Sequence, residues 1–406
     1  MALSFNFVVD RVIHDKIYPH LATWSAEPYT PEWRQFGSKW PYTTPLRIQE
    51  YCELHNVKIN TYSIEDYPAG SFYPVAIGFF DFDIDYLSLL PSAVAVAIKS
   101  NKLQLLFFYH EGDNPYRIKQ RLDELVKSHQ YPADCYVFVS SNSAAQNIPG
   151  FVAFQDSELW YYQRNHANPP LPIPHKSREK DFTVLSRTHK WWRAIVLADL
   201  RSQGLLDNSY WSYCETTKDT DIENSPIEAE TDHPYHIFGN PDLKKLALEF
   251  VAGGPYISDE LTQDERNDHS LNTEPKYFMK SYCNIVLESQ FDYDQSGGAL
   301  LSEKTFKPLK HGQMFFVAGG AGSLQVLRDL GYRTFDHVLD NRYDLEPNST
   351  LRWIKLSEAI AQAHAQGLAA LFERCRADIE YNQHLFMQIK TPRLNTLIEQ
   401  INEQHR

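Results

Sequence analysis

Three short runs in the first half of the chain, residues 74–80, 103–109 and 135–139, are apolar at nearly every consecutive position. A strand with one wet face alternates apolar and polar residues, whereas a run without alternation is covered on both faces, as strands of a parallel sheet are. Between the second and third runs lies DNPYRIKQRLDELVKSHQYP, with Asn114 placed to cap a helix, Pro115 at its first position, and Ile118, Leu122 and Leu125 on one stripe. Strand, crossover helix and strand in this order predict a Rossmann-like α/β lobe. FNFVVDRVI and VKINTYSI supply two further strand candidates upstream.

The chain has 406 residues, too many for one ordinary core. NPPLPIPHKSREK, residues 168–180, carries four prolines and then a charged run, and reads as the boundary. After it FTVLS predicts a buried strand and HKWWRAIVLADLRSQGLL a helix buried through Trp192, Ile195, Val196 and Leu200 and ended near Gly204. The expected organisation is an N-terminal Rossmann-like lobe over 1–170, a linker over 171–180, a second α/β lobe over 181–385, and a C-terminal helix over 386–406 crossing back to the first lobe.

A composition 43% apolar and 14% aromatic can fill two cores. Formal charge is −13, divided as −3 over residues 1–180 and −10 over the rest, which excludes indiscriminate binding of polyanions and leaves room for a local basic groove. The five cysteines, Cys52, Cys135, Cys214, Cys283 and Cys375, lie far apart with no metal-ligand spacing, and predict reduced thiols. MALSFNFVVDRVIHDK has too short an apolar run for a signal peptide, and no stretch approaches a membrane span. The expectation is a soluble, cytoplasmic protein without a membrane partner. Two polar stretches, 214–232 and 258–276, read either as solvated loops or as a lid over a site.

The densest constellation runs from 283 to 344. CNIVLES predicts a strand, SEKTFKPLKHG a helix capped by Ser302 and stopped at Gly312, QMFFVAGG a buried strand, SLQVLRDLG a helix capped by Ser323 and closed by Gly331, and YRTF another strand. In parallel sheets the carboxyl ends of strands and the amino ends of the following helices share one rim, where unpaired N–H groups suit a phosphate. Glu303 and Lys304 fall in the first turn of one such helix, and Gly319, Gly320 and Gly322 precede the next. A lysine there can neutralise a diphosphate while the carboxylate accepts hydrogen bonds from a ribose diol, a combination suited to a nucleoside diphosphate.

Residues 283–344 resemble the donor-binding lobe of fucosyltransferase-type GT-B glycosyltransferases and are similar to glycosyltransferase-like proteins of tailed phages. In that family a strand ending Phe-Glu-Asn is followed, after a variable loop, by Thr-Glu-Lys opening a helix, then by a small-residue strand and a glycine turn. Leu287-Glu288-Ser289 and Ser302-Glu303-Lys304 take those places here. Ser289 stands for the asparagine, and Leu301 for the aromatic or β-branched residue usual before the motif. The resemblance implies that Glu303 holds the ribose and Lys304 the diphosphate of a nucleotide sugar, with Glu288, Ser302, Lys307, Gly320 and Gly322 around them. SRTHKWWRAIVLADL is similar to the family's turn and diphosphate-gripping arginine, which implies Arg193 or, from the strand end, Arg187.

Two other segments carry chemistry. FFYHEGDNP follows a buried strand, so His110, Glu111 and Asp113 would face an interlobe cleft, and an inverting transferase needs a base for the acceptor hydroxyl. Glu111 is the first candidate, then Asp113 and His110; Asp113 or Asn114 as a helix cap is the competing reading. FFDFDIDYL would point Asp81, Asp83 and Asp85 to one side of a strand end and hold a divalent cation, the arrangement of metal-dependent GT-A transferases. Trp160, Tyr161, Tyr162, Trp191 and Trp192 serve either as core or as stacking platforms for sugar rings.

The overall expectation is a GT-B-like α/β protein of two Rossmann-like lobes with a cleft between them. It would move a sugar from a UDP- or GDP-sugar to an acceptor hydroxyl, inverting and without a metal or other cofactor. The acceptor would be a glycan or a hydroxymethylated base in phage DNA. The competing functions are a catalytically silent nucleotide-sugar-binding or scaffold protein, and the metal-dependent transferase.

Overall fold

The computed structural model describes residues 4–8, 51–52, 55, 57–76, 80, 82–109, 112–174, 177–186, 189–213, 240–256, 275–291, 298–388 and 390–404. The chain divides into two compact units, one of residues 1–163 with 389–406 and the other of residues 164–388. The division falls at Gln163, ahead of the proline run, and the chain returns to the first unit for its last helix.

The first unit holds a six-stranded sheet, β1 (Ser4–Val8), β2 (Lys58–Tyr62), β3 (Phe72–Ala76), β4 (Gln104–Tyr109), β5 (Tyr136–Ser140) and β6 (Phe151–Ala153), in the order β2-β1-β3-β4-β5-β6. Every pairing is parallel. Side chains alternate between two cores. Leu105, Phe107 and Tyr109 meet α1 (Ser92–Lys99) and α2 (Pro115–Ser128), whereas Leu106, Phe108, Val137 and Val139 meet Leu159 of α3 (Asp156–Asn165) and the last helix of the chain. Both sheet faces are therefore covered, which is why the strands lack alternation in sequence. Asn114 caps α2 by accepting from the amides of Tyr116 and Arg117, with Pro115 at its start.

The second unit holds β7 (Lys180–Ser186), β8 (Tyr210–Tyr213), β9 (Ser281–Leu287) and β10 (Met314–Ala318) in the order β10-β9-β7-β8, again all parallel. Its helices are α4 (Trp191–Ser202), α5 (Pro241–Ala252), α6 (Pro275–Met279), α7 (Glu303–His311), α8 (Ser323–Asp329), α9 (Ser349–Gln366) and α10 (Leu368–Met387); α11 (Thr391–Gln404) belongs to the first unit. Gly312 ends α7 in the left-handed conformation at φ 69°, the place where a side chain would be strained. The strand expected at 332–335 is absent: this segment has no regular structure, and Phe335 at φ 63° cannot belong to an extended strand. The cap of α8 is Gly322, at φ 84°, with Ser323 as the first helical residue.

Cys52, Cys135, Cys283 and Cys375 are free and buried, and Cys214 lies outside the described residues. Among the described residues no helix is long and apolar enough to cross a membrane.

Candidate functional site

The strand order of the second unit creates a particular place. From β7 the chain goes to β8 on one side, then crosses to β9 on the other side of β7, and on to β10 beyond it. Connections leaving the carboxyl ends of β7 and β9 therefore diverge, and a crevice at such a switch point is where open α/β sheets bind ligands. Glu288 and Ser289 follow β9, α7 begins two residues after Leu301, and Lys190 and Arg193 open α4 after β7.

These residues meet through specific bonds. Arg193, 3% exposed, donates from Nη2 to the carbonyl oxygens of Glu288 at 2.7 Å and Leu287 at 3.4 Å. Lys190 Nζ donates to the Ser289 carbonyl at 2.5 Å, a second tie across the same switch point. Lys304 Nζ reaches Glu303 Oε1 at 3.0 Å, Ser302 Oγ at 3.3 Å and Ser289 Oγ at 3.4 Å. Burial pushes the Glu303 carboxyl up, but Lys304 and Lys307 outweigh it and hold the group below its ordinary value. Burial also lowers Arg193, to about 10, against the opposing pull of Glu288 and Glu303, so the guanidinium remains charged at neutral pH. Among the described residues Arg193, Lys304 and Lys307 thus act on Glu303, and Lys190 brings a further cation to the same strand end, in a chain that is acidic as a whole.

Glu288 has a different place from the one its motif position implies. Its oxygens accept from the Ser302 amide, both at 3.0 Å, from the Ser289 amide at 3.0 Å and from the Thr305 hydroxyl. The residue is fully buried and fastens the end of β9 to the start of α7, so it positions Ser302, Glu303 and Lys304 rather than presenting an open carboxylate. Ser302 caps α7, its Oγ accepting from the Lys304 amide at 3.4 Å.

The glycine turn is also closed by the protein itself. Asp344, 1% exposed, accepts from the amides of Leu324 at 2.9 Å and Gln325 at 3.2 Å, and its carbonyl takes the Gly322 amide at 2.8 Å. Gly320 receives the Ser323 hydroxyl at 2.7 Å on its carbonyl oxygen. The amino end of α8 thus already holds a carboxylate, and the Gly322 amide, expected to be open to a phosphate, is taken by the Asp344 carbonyl. Gly319 has another duty: a Cβ there would stand 2.8 Å from Ser323 Oγ and 3.3 Å from Glu288 Cβ.

Arg352, from α9, props the same region from behind. Its Nε donates to the Gly319 carbonyl at 3.1 Å, Nη1 to the Glu346 carbonyl at 2.7 Å, and Nη2 to that of Phe291. Phe291 stacks on Trp192 with ring centroids 5.2 Å apart. Trp191, Trp192, Tyr161 and Tyr162 are all less than a tenth exposed.

In the first unit Asp113 accepts from the Tyr109 hydroxyl, and Gly112 from Asn142 Nδ2 at 3.1 Å. His110, Glu111, Arg187 and Asp81 lie outside the described residues. Asp83 is exposed and Asp85 sits in a turn, not on a strand end. The Asp85 carboxylate accepts from the amides of Leu87 at 3.1 Å and Ser88 at 3.0 Å and pairs with His129 at 2.7 Å, so the fan of acids expected from an extended strand does not form. Lys190, Thr305, Asp344 and Arg352 escaped the sequence reading. Lys190 alone left a signal there, a basic residue just ahead of the Trp191 helix.

Compared with known proteins, the chain matches no family model, and no curated protein sequence matches it significantly.

Proposed function

We propose that the chain is a GT-B-like glycosyltransferase whose second unit binds the nucleoside-diphosphate part of a nucleotide sugar. The observation that supports this reading most is the grouping of Arg193, Lys304 and Lys307 about Glu303 at the β7/β9 switch point, with Lys190 bonded to the Ser289 carbonyl beside them. An enclosed cluster of this sign suits the diphosphate leaving group, whose developing charge preorganised cations stabilise without moving. Glu303, kept ionised by its lysines, is an acceptor for a ribose diol. The resemblance of residues 283–344 to fucosyltransferase donor lobes adds to this, with the refinement that Glu288 fixes the geometry and the α8 amino end takes no part.

The transferred group would be the sugar of a UDP- or GDP-sugar, passed with inversion to a hydroxyl of a glycan or of a hydroxymethylated DNA base, with Glu111 as the base that removes the acceptor proton. No metal is required by this reading, because the cations meet the diphosphate directly.

The deciding experiment is a melting-temperature panel with UDP-, GDP- and CDP-sugars, since a ligand that binds only the folded state raises the transition by mass action. One series should raise it, and Lys304→Ala should reduce that rise. No response to any of the three would remove the reading. Glu111→Gln separates enzyme from binding protein: the expected variant keeps its ligand response and loses turnover.

A further inference from the structure

The carboxyl end of β7 carries one more side chain that the cation cluster does not use. His189 lies between β7 and α4, and its Nδ1 shares a hydrogen bond with the hydroxyl of Tyr213, the last residue of β8. The imidazole stands edge-on to Trp191 at 4.7 Å and to Tyr213 at 5.9 Å between ring centroids. Tyr213 in turn is close enough to Arg193 for each to act on the other's charge. His189 therefore stands on the same carboxyl-end rim of the sheet as Arg193.

The proton on this ring can be placed. Burial holds the Tyr213 phenol above its ordinary range and the His189 imidazole below its own, so both are neutral near pH 7. A neutral phenol has one proton to give, and among the described residues His189 Nδ1 is the acceptor that takes it. Tyr213 donates, Nδ1 accepts, and the imidazole proton sits on Nε2. That Nε2 is buried and, among the described residues, has no hydrogen-bond partner. Trp192, three residues on and 7% exposed, has an indole Nε1 in the same condition, and Arg193 lies with its guanidinium 5.3 Å from the Trp192 ring. Buried donors are nearly always satisfied, so Trp192 Nε1 beside the Arg193 guanidinium and His189 Nε2 on the ring bonded to Tyr213 are left for an acceptor other than the described residues.

Both groups donate only, which matches a ligand rich in oxygen and poor in protons. We infer that His189 is a binding residue of this site, whose Nε2–H, fixed in that tautomer by Tyr213, donates to an oxygen of the bound nucleoside diphosphate. This rests on the donor-binding reading above and adds to it a neutral donor, which supplies direction to a site otherwise held by charge.

The test is calorimetry of the full chain with GDP, UDP and CDP, without added metal, on the wild type, His189→Ala, His189→Gln and Lys304→Ala. It is joined to long-range ¹H–¹⁵N spectra of the histidine rings. His189→Ala should weaken the best-binding diphosphate by about three- to tenfold, the worth of one neutral hydrogen bond. His189→Gln, whose amide N–H reaches the position of Nε2, should return affinity to within about twofold. In the wild type the Nε2 resonance of His189 should move on addition of the diphosphate, a shift that a purely structural histidine would not give. If the diphosphate binds and Lys304→Ala weakens it, while His189→Ala binds normally and the Nε2 signal stays in place, the inference fails and the donor-site reading survives. If the wild type binds none of the three, both fail. Should His189→Ala not fold, the Nε2 shift in the wild type decides.

Discussion

Arg193 Nη2 holds the carbonyl oxygen of Glu288 at 2.7 Å, so a guanidinium from α4 reaches across the switch point and fixes the end of β9. The bond holds the strand end, and the proposed donor site would give Arg193 a second role toward a bound anion. Arg193→Ala should lower affinity for GDP or UDP by roughly tenfold or more and destabilise the chain by about 1.5–3 kcal/mol, the range for hydrogen bonds made by charged groups. Arg193→Lys should fall between, because an ammonium keeps the charge but not the planar fork. Calorimetry and urea unfolding separate the two effects; lost stability with unchanged affinity would leave Arg193 as a strut alone.

Glu303 gives the site a definite pH dependence. Burial raises its pKa and Lys304 and Lys307 more than reverse this, so the folded value lies below the ordinary 4.5. A depressed carboxylate contributes stability above its unfolded pKa and loses it as pH falls through the folded one. Glu303→Gln should therefore be less stable than the wild type at pH 6–7, by roughly 1 kcal/mol or less. The two unfolding curves should converge once the pH is below the folded pKa of Glu303. A gap that persists unchanged to pH 3 would show that the ion pair is not its source.

Two glycines of one turn should respond to alanine for different reasons. At Gly319 the new methyl would press on Glu288, the residue that seats α7, and on Ser323 Oγ. Gly319→Ala should cost about 1–3 kcal/mol by overpacking and also weaken diphosphate binding. Gly322 has open space around its Cβ position but φ 84°, so Gly322→Ala should cost about 1–2 kcal/mol by backbone strain and leave binding untouched. Melting curves with and without GDP or UDP distinguish the two, and equal binding by both variants would detach Gly319 from the site.

What could be read from sequence was whatever short-range chemistry determines. The parallel strands around 72–76, 104–109 and 136–140, the Asn114 cap of α2 and the Ser302 and Gly312 limits of α7 all depend on neighbours within a few residues. The site depends on strand order instead. Lys190 and Ser289 are 99 residues apart, and they meet only because β9 pairs with β7. The carboxylate that closes α8 comes from Asp344, twenty residues beyond Leu324, so a glycine turn that looked open in sequence is filled. Asp85 misled in the opposite direction, since alternating acids suggest a strand while its side chain accepts from the amides of the next turn.

Asp344 offers a control for the donor-site assignment. Asp344→Ala would leave the Leu324 and Gln325 amides without their acceptor in a buried setting, at a cost of about 1–3 kcal/mol. Asp344→Asn retains one carbonyl oxygen and should cost less. Neither should change affinity for a nucleoside diphosphate, because the carboxylate and not a ligand serves that helix end. Tighter binding by Asp344→Ala would instead mean that the uncapped amides had become available to the phosphate.

The attachment of the last helix to the first unit rests on a buried charge cluster. Glu158, 1% exposed, accepts from Lys390 Nζ at 3.1 Å and Arg393 Nε at 2.8 Å, just where α11 begins. Burial lowers the Lys390 pKa and Glu158 opposes that, so the ammonium depends on its carboxylate. The apolar stripe of α11, Leu394, Leu397, Ile398 and Ile401, then packs beneath the sheet with Phe5, Phe72 and Leu106. Removing one partner of a buried pair leaves the other charge uncompensated, so Glu158→Ala should cost about 3–5 kcal/mol. Amide exchange should rise first in Thr391–Gln404, ahead of the β4 and β5 amides. Glu158→Leu with Lys390→Met should recover most of the loss, because the cost lies in the stranded ammonium more than in the missing attraction. A Glu158→Ala chain whose α11 amides stay protected would show that the apolar stripe alone holds the helix and that the charges are incidental to it.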